Sequence, residues 1–93
     1  MDWKPYDPAW LVEWVRANVP EEPWLADALA RCTRAMEGGP AYLYFVDPAD
    51  ANQPGAEWQI ADGLTLEHPK EGTLVVDVLT GRRIGGIEFL ARL

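Results

Sequence analysis

The sequence predicts an α+β fold in which two N-terminal helices pack on a mostly antiparallel sheet of about four to five strands. Three observations predict it. Apolar residues recur at helical spacing only in the first forty positions, the period shortens to two beyond Gly38-Gly39-Pro40, and turn signals divide the remainder into short segments. The 93 residues suit a single domain spanning 1–93. At this size only roughly 60–65% of the unfolded chain's surface is buried on folding, so self-association is a natural way to add stability.

Asp7-Pro8 opens the first helix, predicted over 8–18: the aspartate accepts free amides, and proline in the first turn gives up no bond. Trp10, Leu11, Trp14 and Val15 form its apolar stripe. Pro20-Glu21-Glu22-Pro23 breaks that helix and starts a second, predicted over 23–37, with acids where the dipole favours them. Leu25, Ala28, Leu29, Cys32 and Met36 form the second stripe, and Asp27 and Arg31 are spaced as an i, i+4 pair. Gly38-Gly39-Pro40 reads as the helix C-cap.

Strands are then predicted over 41–46, 57–61, 64–68, 73–79 and 87–90. Residues 47–56, with two prolines and a glycine, form a long loop. Asp62-Gly63 reads as a two-residue hairpin turn. Gly81, Gly85 and Gly86 are not followed by a helix, so turn or bulge geometry accounts for them better than a phosphate loop.

The net charge is −7, with 4 basic and 7 acidic residues in 1–39 and 4 and 8 in 40–93. Nucleic-acid binding needs a basic patch to neutralise phosphates, so the sequence excludes it and points to a basic protein partner or a second copy of the chain, a homodimer. No apolar run approaches a membrane span and no basic-then-apolar leader is present, so a cytoplasmic location without a membrane is expected. Six arginines against two lysines, with few asparagines and glutamines, fit a heat-adapted source or a GC-rich genome.

No catalytic constellation, cofactor motif or metal-ligand spacing appears. Cys32, the single cysteine, reads as a core filler. His68 reads as a surface residue, with strand alternation placing it opposite Glu67. Trp3 and Tyr6, ahead of the first helix, and the adjacent Arg82 and Arg83 are the candidate interaction residues. The leading reading is therefore an interaction module, the acidic neutralising partner of a basic protein, and not an enzyme. The alternative is a small ligand-binding domain or enzyme with a pocket between helices and sheet, to which His68, Asp77 and Glu88 contribute.

Val75-Val76-Asp77-Val78-Leu79, followed after a turn by Ile84-Gly85-Gly86-Ile87-Glu88-Phe89-Leu90, resembles the end of the bacterial domain of unknown function family 2283. Tyr42-Leu43-Tyr44-Phe45 resembles that family's first strand, so the resemblance covers residues 41–90, and Asp77, Gly86, Ile87 and Glu88 are its specific positions. The chain departs in having Leu79 where a second aspartate is common, a turn glycine shifted to Gly81, and two helices at its front. The resemblance implies a small sheet and, from members that look like companions of small toxins in gene pairs, a partner-binding role.

Overall fold

A computed structural model describes residues 2–93. The elements run β1 (Lys4–Pro5), α1 (Ala9–Asn18), α2 (Pro23–Ala30), β2 (Arg34–Glu37), β3 (Tyr42–Tyr44), β4 (Ile60–His68), β5 (Gly72–Leu79), β6 (Arg83–Phe89) and a closing 3-10 turn over Leu90–Arg92. Among the described residues the strands form one six-stranded sheet ordered β1-β2-β3-β6-β5-β4, antiparallel throughout. The α+β architecture is as predicted, with one strand more than the upper expectation. No described helix is long and apolar enough to cross a membrane.

Both helices lie on one face of the sheet. Leu11 and Val15 of α1 and Leu25, Ala28 and Leu29 of α2 are buried against Leu66, Leu74, Val76, Val78, Ile84, Ile87 and Phe89. Alternation does the sorting: on β5 the even positions Leu74, Val76 and Val78 join this core, which leaves Val75, Asp77 and Leu79 to the other face. Helix α1 starts one residue later than predicted, at Ala9 with Pro8 in the capping position, and Asp7 Oδ1 accepts the Ala9 amide at 3.0 Å just ahead of it. Asp27 meets Arg16 of α1 at 3.2 Å instead of Arg31. Both partners are more than half exposed, so the pair contributes about 0–1 kcal/mol.

The second helix is shorter than predicted, and residues 34–37 are a strand. The amides of Arg31 and Cys32 bond back to the Ala28 and Leu29 carbonyls, closing the helix early. Arg34–Glu37 then pairs with β3, Met36 opposite Tyr44 and Glu37 opposite Leu43. Gly38-Gly39-Pro40 is thus a hairpin turn and not a helix cap. Gly39, at φ +87°, supplies the left-handed residue that either motif requires, so the motif alone does not distinguish them.

Asp62-Gly63 is likewise not a turn. Neither residue has positive φ, and both lie inside the continuous nine-residue strand β4, with a register shift between Ile60 and Asp62. Asp62 Oδ1 accepts the Gly63 amide at 2.8 Å, so the aspartate bonds locally without bending the chain. The predicted strand over 57–61 begins only at Ile60, since Trp58 leaves the sheet's edge to bury itself against Leu79 and Val46. The predicted 41–46 strand contracts to Tyr42–Tyr44, after which the Phe45 and Val46 amides both bond to the Gly85 carbonyl. The predicted 87–90 strand lengthens to Arg83–Phe89 because Gly81 and Arg82, both at positive φ, turn the chain tightly enough to pair Leu79 with Arg83.

Gly85 and Gly86 mark a bulge, as read from the sequence, where pairing steps from Asp77–Gly86 to Val78–Ile84. A Cβ on Gly86 would sit 2.5 Å from the Leu43 carbonyl oxygen, and one on Gly85 would sit 2.8 Å from the Trp58 ring. Gly86→Ala is therefore expected to destabilise the fold by about 1–3 kcal/mol. Gly63→Ala, with open space and ordinary φ, should stabilise it by about 0.5 kcal/mol because glycine weakens a strand. Chemical denaturation midpoints check both, and a destabilised Gly63→Ala protein would contradict the continuous strand.

Candidate functional site

His68 closes the β4–β5 hairpin, opposite Gly72. Its Nδ1 accepts the backbone amides of Lys70 and Glu71 at 3.2 and 3.1 Å. Its ring lies between Trp10 (5.4 Å, edge on) and Trp14 (5.2 Å) on the helix side of the sheet. The histidine is thus half-buried and holds a turn against helix α1. Glu67 points the other way and accepts the Thr73 hydroxyl at 2.8 Å, as alternation predicts.

Asp77 and Glu88 occupy the opposite face from His68, and the three do not converge. Two hollows lie where the helices meet the sheet, one lined by Ala28 and Ile84 and the other by Trp10 and Phe89, and none of Asp77, Glu88 and His68 lines either. Instead Asp77 pairs with Gly86 and Glu88 pairs with Val75 on β5 and Tyr42 on β3, which makes the two carboxylates diagonal neighbours. Neither makes an ion pair or a side-chain hydrogen bond among the described residues. Partial burial, and then the charge of Glu88, push the Asp77 carboxyl above its ordinary 3.8. The loop through Trp58 covers only one end of this face, over Leu79 and Val46, with Tyr42 and Tyr44 packed beside it. Toward β4 the face is open, and Thr65 and Glu67 are exposed.

The four candidate interaction residues divide. Tyr6 turns inward: its hydroxyl oxygen accepts the Trp10 indole N–H at 2.9 Å and its ring lies 5.5 Å from Phe45. Burial raises its hydroxyl above the ordinary 10.0, against the pull of the Trp10 bond. Arg82 lies over the Trp24 ring at 4.8 Å. Trp3 and Arg83, eighty positions apart in sequence, line the same groove of about 510 Å³ at the end of the sheet. Arg31 and Arg34 line it as well, and the Arg34 guanidinium sits 5.5 Å from the centre of the Trp3 ring. Nothing in the sequence singles out Arg31 and Arg34 as site residues; both fall inside the helix predicted over 23–37. Only the break after Ala30 and the return of β2 beside β1 carry them to the groove.

Cys32, buried behind that groove, is the core filler that the sequence predicts: its thiol points at the Ala28 carbonyl, 3.6 Å away. Desolvation drives the thiol from 9.0 up to about 12, against the opposing pull of Arg31. No family model matches the chain, and no significant match is found among curated proteins or solved structures.

The raised Cys32 value sets the sign of an alkaline effect. Above 9.0 the unfolded thiol loses a proton that the folded one keeps to about 12, so folding stability falls across that window. Cys32→Ala should flatten this part of the stability curve between pH 9 and 11, read by denaturant titration. In the native protein at pH 8 the thiol should react with a maleimide at least about tenfold more slowly than in denaturant.

Proposed function

We propose that the chain is a protein-interaction module that engages a basic partner through the open face of its sheet, in the manner of an acidic neutralising subunit. The observation that carries this reading is the unpartnered pair Asp77 and Glu88. Two carboxylates set diagonally on adjacent strands, partly desolvated and without a cation, work against folding. A lysine or arginine from a partner placed between them would turn that repulsion into attraction. Tyr42, directly opposite Glu88, supplies aromatic area beside the charges. The charge of −7 adds long-range steering toward a basic surface. Of the four specific positions of the 2283-family resemblance, Asp77, Gly86 and Glu88 meet at this place, which suits a partner-binding role there, while Ile87 faces the core.

The test joins capture to stability. Tagged chain should retain a basic protein from an extract of its source cell at low salt and lose it at high salt, and Asp77→Asn with Glu88→Gln should abolish capture. The same substitutions should leave the free protein more stable, Asp77→Asn alone by about 0.5 kcal/mol at neutral pH. The folded state binds the Asp77 proton more tightly than the unfolded chain does, so stability falls as pH rises from 3.8 through the raised value. The gain from asparagine should accordingly disappear on acidification through that window. Undiminished capture by the doubly substituted chain would refute the assignment of this face.

A further inference from the structure

We infer that the groove lined by Trp3, Arg31, Arg34 and Arg83 is a binding site for a small phosphate monoester, separate from the acidic sheet face. The chain carries eight basic residues against fifteen acidic ones, yet three of its arginines border this one groove. Two of the three are uncommitted: Arg31 and Arg34 make no ion pair among the described residues, and Arg83 makes only a long, exposed contact with Glu57 at 3.9 Å. Arg34 is already oriented by the Trp3 ring, which lowers the entropy lost when its fork closes on an oxyanion.

Glu57 and Asp47 also line the groove, but neither forms an ion pair with Arg31 or Arg34 among the described residues. Asp47 Oδ1 accepts the Ala49 amide at 2.9 Å, which holds that carboxylate to its own loop. The C-terminal end of α2 would oppose an anion if its carbonyls were free. Those of Ala28 and Leu29 accept the Arg31 and Cys32 amides, and beyond the helix those of Arg31 and Thr33 accept the Thr33 and Tyr6 amides.

The chemistry of the groove selects the class of ligand. A single guanidinium fork satisfies a monocarboxylate, whereas a dianion with three free oxygens matches two uncommitted forks with a third close by. The groove of about 510 Å³ suits a small molecule. A polyanion such as nucleic acid would extend past the arginines onto a chain of net charge −7. Trp3, half-buried at the groove wall, offers a surface for a planar group carried by the same ligand.

The experiment is an NMR titration of the full chain with phenyl phosphate, inorganic phosphate, succinate and, at matched ionic strength, sodium chloride. It follows the Trp3 indole N–H and the amides of residues 31–34 and 83. Saturable shifts confined to these positions are expected, with phenyl phosphate bound about tenfold more tightly than succinate. Arg31→Met with Arg34→Met should weaken phenyl phosphate at least about tenfold, while Arg16→Met, on the remote face of α1, should leave it unchanged. The substituted arginines are exposed, and circular dichroism verifies that the fold is retained. Shifts that merely follow ionic strength, tighter binding of succinate, or undiminished binding by the double variant would each overturn the assignment. Because Asp77 and Glu88 lie elsewhere, their variants should bind phenyl phosphate normally, so failure here is distinguishable from failure of the partner-binding reading.

Discussion

Half of the sheet depends on a close approach at Gly86. Strand β3 reaches the rest of the sheet only through β6, with Tyr44 opposite Gly86, and the Leu43 carbonyl occupies the space where any side chain would begin. Strands β2 and β1 pair in turn only through β3. An absent methyl group thus permits half of the sheet to exist, including the strand that carries Arg34 and the segment that carries Trp3. The neighbouring Gly85 serves the second face, where its lack of a side chain lets Trp58 lie flat against the bulge and seal one end of the sheet. Glycine usually weakens a strand, and here the loss is offset by contacts that no other residue would allow.

The two faces of the sheet are covered to different degrees. Two short helices cover one face with leucine, valine and a pair of tryptophans, and the aromatic ends of that layer pack on His68, which fixes the β4–β5 turn through two backbone amides. A histidine that reads as a surface residue in sequence is half-buried and acts as a joint between a hairpin and a helix. The other face is covered by one loop at one end and otherwise presents polar and acidic residues. In so small a domain there is too little chain to cover both faces, and the uncovered one is where an interaction adds most.

Charge is distributed against the average in both proposed sites. On the open face, carboxylates stand together without a cation; in the end groove, Arg31 and Arg34 stand together without an ion pair among the described residues, and only Arg83 reaches a carboxylate, Glu57 at 3.9 Å. A chain folding for stability alone would place these groups beside each other, as it does with Arg16 and Asp27 or Arg92 and Glu71. Instead each cluster keeps its unsatisfied charge where solvent or a ligand can reach it.

The sequence by itself determined the class of fold, the first helix with Asp7 just ahead of it, the alternation that separates Glu67 from His68, the burial of Cys32 and the bulge at Gly85-Gly86. These follow from local sterics and from periodicity, which act over a few residues and need no partner. Tertiary structure decided the rest. Residues 34–37 satisfy a helical stripe, but Met36 and Ala35 are buried by pairing with β3 and β1, and hydrogen bonds to distant strands outweigh weak local preference. Asp62-Gly63 carries a turn signal, yet eight register pairs with β5 hold it extended. Trp3, Arg31, Arg34 and Arg83 share no local pattern at all; they meet only because the break in α2 and the order of the strands bring three remote parts of the chain to one end of the sheet.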